Sequence, residues 1–207
     1  MIFLAIASYY FIDRPVAVWT YYHTRVHPLH AWWEYPTHLQ PLFYFISPWL
    51  IIYLVFKSAN PTKQITQNDR ILFLMVLALW LSLLICEEMR ILFGRPWAST
   101  WFHGNLSYIQ HGVYGFTWLQ TAHEYKSFPS GHTTLTFAFM MSLWWQVSNK
   151  FLRLFAIICC ILVPSGLILM CYHWVSDVII GALVGTLSAY AILYSYRCLD
   201  LKKDVKK

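Results

Sequence analysis

Residues 71–86 read Ile-Leu-Phe-Leu-Met-Val-Leu-Ala-Leu-Trp-Leu-Ser-Leu-Leu-Ile-Cys, with no charged side chain among them. Continued to Phe93, the run is about 35 Å long as a helix at about 1.5 Å per residue, enough to cross a hydrocarbon core of about 30 Å. Four more apolar runs lie at about Leu42–Phe56, Thr133–Val147, Leu154–Tyr172 and Val178–Tyr196. A sixth, Met1–Ile12, is short, and it lacks the basic start and small-residue cleavage site of a signal peptide, so it reads as a short first span. The expectation is an all-α polytopic membrane bundle of about six transmembrane helices, forming a single domain over 1–207.

Composition agrees. Of 207 residues, 58% are hydrophobic and 12% charged, against about 25% charged in ordinary soluble domains. The 11 Trp and 14 Tyr suit the aromatic belts at membrane interfaces. The cysteines at 86, 159, 160, 171 and 198 lie inside or beside apolar runs, where a thiol behaves as a small hydrophobe, so neither a disulfide framework nor a zinc knuckle is indicated.

The net charge of +6 is distributed by topology. Lys57, Lys63, Arg70, Lys150, Arg153, Arg197, Lys202, Lys203, Lys206 and Lys207 fall on one side of the six-span plan. Arg14, Arg25, Arg90, Arg95 and Lys126 fall on the other. The positive-inside rule makes the first set cytoplasmic, with both termini inside and 197–207 a basic cytoplasmic tail. The cations therefore report orientation and are no footprint for nucleic acid. The expected location is a bacterial inner membrane, with the functional loops on the outer, periplasmic face.

Three segments meet on that outer face. Gly94-Arg95-Pro96 follows the run that began at Ile71; Lys126-Ser-Phe-Pro-Ser-Gly-His132-Thr precedes the fourth run; His173-Trp-Val-Ser-Asp177 lies between the last two. A Pro-Ser-Gly turn at a helix start offers backbone N–H groups to an anion, Ser130 adds a hydroxyl and Gly131 allows close approach. Arg95 can hold two phosphate oxygens in its planar fork. His173 and Asp177, four residues apart, share a helix face, so the carboxylate can fix the imidazole tautomer. His132 is left as a proton donor. A metal site among His103, His111, His123, His132 and His173 lacks ligand spacing such as HxxxH, so no metal or other cofactor is expected. The aromatic segment 95–131 is expected to lie over the site. Trp19, Tyr21, Tyr22, Trp32 and Trp33 of the outer 13–40 segment suit a lipid entry rim.

This set resembles the type 2 phosphatidic acid phosphatase (PAP2) superfamily, whose pattern is KxxxxxxRP, PSGH and SRxxxxxHxxxD on a helical core. The resemblance implies a metal-independent lipid phosphatase. His173 would attack phosphorus, Asp177 support it, and His132 protonate the leaving group, while Arg95, Ser130 and Gly131 hold phosphate. Substrates such as phosphatidic acid, phosphatidylglycerol phosphate, lipid A phosphate or undecaprenyl diphosphate fit the pattern equally. Two cations of the pattern are missing: Glu88 stands where Lys is expected, and Gly166-Leu167 where Ser-Arg is expected. Lys126 and Arg90 are the candidate replacements. The same residues would serve a phosphotransferase, and the two missing cations suit a non-catalytic lipid-binding member. A channel or transporter is disfavoured because no ionisable residue sits mid-span.

Overall fold

Six long helices carry the chain in the computed structural model, which describes residues 1–26, 30–60, 62–101 and 104–204. Phe102, His103, Lys206 and Lys207 lie outside the described residues. Helix α1 spans Ile2–Arg25, α2 Leu39–Ala59, α3 Gln67–Phe93, α4 Gly131–Gln146, α5 Lys150–Leu169 and α6 Val175–Asp204. Short helical turns at His30–Glu34 and Tyr35–His38 lead into α2. All but α4 are long and apolar enough to cross a membrane.

Local chemistry sets several ends. Thr66 caps α3 in a capping box with Asp69, and the Asp69 carboxylate also takes Lys57 at 2.6 Å, tying α2 to α3. The Asn149 side chain accepts from the N–H groups of Phe151 and Leu152 to start α5. Much of the outward surface of the long helices is apolar, with Phe3, Phe45, Phe56, Leu84 and Ile161 all more than half exposed. Water would not tolerate that much contiguous apolar surface, whereas lipid tails match it.

Two expectations change. The first helix is twice as long as the apolar run Met1–Ile12, because Asp13, Arg14 and Pro15 continue it. A wide π turn at Ser8–Ile12 precedes the proline, with the Asp13 N–H bonded to the Ser8 carbonyl. Asp13 is thus a buried ionisable residue in the middle of a span-length helix, not part of an outer connection. A charged run-breaker can stay helical once a partner neutralises it, and the partners here are Arg95, just after α3, and Ser176, at the start of α6.

Helix α4, 16 residues long, is central by packing: α3, α5 and α6 all lie against it. Phe43, Leu79, Leu135, Met140, Ala156 and Cys159, drawn from α2 through α5, form the core at this crossing. The approach of α6 depends on two glycines one turn apart. A β-carbon on Gly181 would stand 2.8 Å from the Ser130 carbonyl oxygen. One on Gly185 would meet the Thr134 carbonyl and stand 2.8 Å from the Ala138 nitrogen. This is the small-xxx-small device by which membrane helices bring their backbones together. It holds the start of α6, which carries Asp177, against the start of α4, which carries His132.

Gly185→Ala is expected to cost about 1–3 kcal/mol by overpacking, read as a lower unfolding temperature in detergent. Leu187→Ala, on the outward face of the same helix (55% exposed), should leave that temperature nearly unchanged.

Candidate active site

The segment between α5 and α6 is held in place before its side chains are considered. The His173 N–H and the Tyr172 N–H both donate to the Leu167 carbonyl, and Cys171 takes a positive φ of 53° to make the turn. His173 then stands two residues ahead of α6, and its Nδ1 lies 3.5 Å from an Asp177 carboxylate oxygen. That carboxylate also accepts from the Ser127 hydroxyl at 2.6 Å and the Trp174 N–H at 3.4 Å. With Nδ1 directed to Asp177, Nε2 is buried without a protein partner. Trp97 and Tyr172 pack on the ring, with centroids 5.2 and 5.1 Å away. Burial lowers the His173 pKa, and Asp177 pushes it back up. The site thus favours a neutral imidazole whose protonated form has a partner waiting.

His132 faces it with ring centroids 6.3 Å apart. It occupies the second position of α4, ahead of the apolar run, and its Nδ1 is buried without a partner. Burial, and then the neighbouring His173, Arg90 and His38, lower its pKa to about 3. Both rings border a cavity of about 300 Å³, walled also by Gln40, Glu87, Arg90, Trp97, His123, Lys126 and Tyr172. The cavity is mostly polar, with two cations in its wall.

Arg90 is the larger of those two presences. Its Nη1 bonds Glu87 at 2.5 Å, while its Nε is buried and unpartnered. Lys126 sits 3.7 Å from the other Glu87 oxygen. Gly131 is what admits Arg90, because a β-carbon there would collide with its Nη2. Glu88, which stands where the family pattern has Lys, is exposed and absent from the cavity wall; its neighbour Glu87 is the acid that meets the cations.

The other residues singled out from sequence have different places. Arg95 is fully buried and does not border the cavity. Its guanidinium bonds Asp177, Ser176 at 2.8 Å and Asp13 at 2.8 Å, inside a box formed by Tyr9, Tyr114, Phe116 and Trp174. It braces Asp177 from behind. The expected clamp on phosphate is displaced by two carboxylates that already hold the fork. Ser130 is also buried, with its hydroxyl 3.1 Å from that of Thr133 and its N–H on the Asp177 carbonyl. Among the five histidines weighed as metal ligands, His123, His132 and His173 share the cavity, whereas His111 accepts from the Ser107 N–H.

Segment 95–131 closes the site through backbone pairing. The Arg95 N–H donates to Tyr125, the Ser127 N–H to Arg95 and the Thr117 N–H to Gly94. Gly94 holds φ at 39° directly under the Thr117 carbonyl, where a side chain has no room. This pairing brings Lys126 and His123 beside the end of α3.

A family model described as the PAP2 superfamily matches residues 71–199. The solved structure of LpxE from Aquifex aeolicus is similar in fold, with a TM-score of 0.55 and 20% identity over 81% of this chain and 87% of that one. No curated protein matches the chain in sequence.

Asp13→Asn should lower the unfolding temperature sharply, because removing one partner of a buried ion pair costs about 3–5 kcal/mol. Glu87→Gln, in a half-buried pair, should shift stability by less than about 1 kcal/mol. Equal effects of the two changes would contradict the buried role of Asp13.

Proposed function

The chain belongs to the PAP2 superfamily, and on that footing we propose that it is a membrane lipid phosphatase working through a phosphohistidine on His173. One observation carries the reading: His173 offers an unpartnered Nε2 to a polar cavity while Asp177 holds Nδ1, and His132 faces it across that cavity.

The chemistry follows from these positions. The Nε2 lone pair attacks phosphorus, the P–O bond to the leaving alcohol breaks, and His132 gives its proton to the departing oxygen. Asp177 stabilises the positive phosphoimidazole. Water, deprotonated by the now neutral His132, then cleaves the P–N bond, releasing phosphate and restoring both rings. Arg90 and Lys126 supply the positive charge that faces the phosphate oxygens in place of the two cations missing from the family pattern. At about 1.5–3 kcal/mol for each charge-assisted hydrogen bond, the pair offsets a deficit of about 10²–10⁴ in rate. No step calls on a metal. The distribution of Lys and Arg supports a site at the outer face.

Protein in detergent should release phosphate from a lipid phosphomonoester in the presence of a chelator, and His173→Ala should abolish release. Arg90→Ala and Lys126→Ala should each lower kcat/KM by about tenfold or more, the loss of one charged contact. If release persists in His173→Ala, the phosphohistidine route is wrong.

The pH dependence has a defined sign. Burial lowers the His132 pKa, so the protonated acid is scarce at neutral pH and scarcer above it. The kcat/KM should fall as pH rises from about 6 to about 9, through loss of the proton on His132 or on the phosphate. A profile that rises over this range excludes His132 as the acid.

A further inference from the structure

Glu87 stands between the two cations of the catalytic cavity. One of its oxygens accepts from Arg90 Nη1 at 2.5 Å, and the other lies 3.7 Å from Lys126 Nζ. The contact with Arg90 alone would be an ordinary pair three residues apart on a helix. Lys126 changes its meaning, because it arrives from segment 95–131 and takes the other oxygen. All three side chains border the cavity together with His132 and His173. One carboxylate thus engages, one oxygen each, the two cations that would face a phosphate.

Phosphate and carboxylate therefore compete for the same partners. Arg90, Lys126 and Glu87 together carry one net positive charge, where the two cations alone would carry two. A phosphomonoester brings about −1.5 to −2 at pH 7, so it can take both cations from a carboxylate that brings one. The same attraction would hold inorganic phosphate after hydrolysis. A carboxylate that returns gives the cations a new partner as the product leaves.

Such an exchange requires that Glu87 can let go, and burial decides this. Its side chain is 38% exposed, whereas those of Asp13 and Asp177, which hold Arg95, are 0% exposed. A fully desolvated carboxylate that left its partner would be stranded as a bare charge, but Glu87 meets water when it turns away. Arg90 is retained from its other end, since Nη2 fills the gap at Gly131, next to His132. The guanidinium can stay in the wall while its carboxylate partner changes.

Resting on the phosphatase reading above, we propose that Glu87 is a resident anion: it holds Arg90 and Lys126 before substrate arrives, yields them to the substrate phosphate, and returns to displace the phosphate product. Only ion pairs are exchanged, and no covalent bond to Glu87 forms. Glu87 thus governs how tightly phosphate is held and takes no part in the attack or in protonation of the leaving group.

The test measures binding of inorganic phosphate to the full chain in detergent by isothermal titration calorimetry. Inhibition of lipid phosphomonoester hydrolysis by added phosphate is followed in parallel, with phosphatidic acid and phosphatidylglycerol phosphate as substrates. Glu87→Gln keeps size and hydrogen bonding while removing the charge. It should bind phosphate about tenfold or more tightly than the wild type, the loss of one charged competitor, and be inhibited at correspondingly lower phosphate. Glu87→Asp keeps the charge and should lie closer to the wild type than to the Gln variant. Glu88→Gln removes the same charge one residue along, at an exposed position outside the cavity wall, and should leave phosphate affinity unchanged. If Glu87→Gln binds phosphate as the wild type does, or more weakly, Glu87 merely supports Arg90 and the proposal is overturned, while phosphate release by the wild type keeps the phosphatase reading. An equal gain in Glu88→Gln overturns it too, since the effect is then one of overall charge. No release by the wild type from either lipid removes the phosphatase reading, and the role of Glu87 in product release with it.

Discussion

The site depends on a guanidinium buried between two carboxylates. Arg95 has no exposed surface, nor do the side chains of its partners Asp13 and Asp177. An unpaired charge in such surroundings would cost several kcal/mol, so the three must be assembled together or not at all. Their assembly joins α1, the segment after α3 and the start of α6 at one point. Ser176 adds to it, with its N–H on one Asp13 oxygen at 2.9 Å and its hydroxyl on the other. What this cluster fixes is the orientation of Asp177, and through it the tautomer and aim of His173.

The charge balance of that cluster suits the proposed chemistry. Two carboxylates and one guanidinium leave one negative charge behind His173. A neutral imidazole meets it with a single N–H, whereas a phosphorylated, positive ring would complete the pairing. An Arg95 free to bind phosphate would remove that brace, so the same residue cannot do both. The cavity therefore takes its cations from elsewhere: Arg90 from the last turn of α3 and Lys126 from the strap that pairs with Arg95. Gly131 contributes by being small, since Arg90 occupies the space of its missing side chain.

Much of this was legible beforehand. The helical membrane bundle followed from long uncharged runs, because a bilayer leaves the backbone no other hydrogen-bond partner than its own helix. His132, His173 and Asp177 came from short local spacings, and the structure brings all three to one place because each spacing lies at a helix start. Lys126 and Arg90 could be named as replacements, but their convergence on Glu87 could not. The first helix outruns its apolar stretch at Asp13: a charge ends an apolar run by composition, while its partner, 82 residues away, is invisible to any local window.

The sequence by itself determined the class of solvent, most of the long helices and the pairing of His173 with Asp177, since these rest on composition and on contacts within four residues. Only the tertiary structure decided which arginine braces Asp177 and which lines the cavity. Arg90 and Arg95 are five residues apart with the same chemistry, and nothing local separates them. Their roles follow from which long-range partners reach them, Asp13 and Asp177 for one, the gap at Gly131 for the other. Burial then makes the Arg95 choice exclusive, because a fully desolvated guanidinium must keep the two carboxylates it has found.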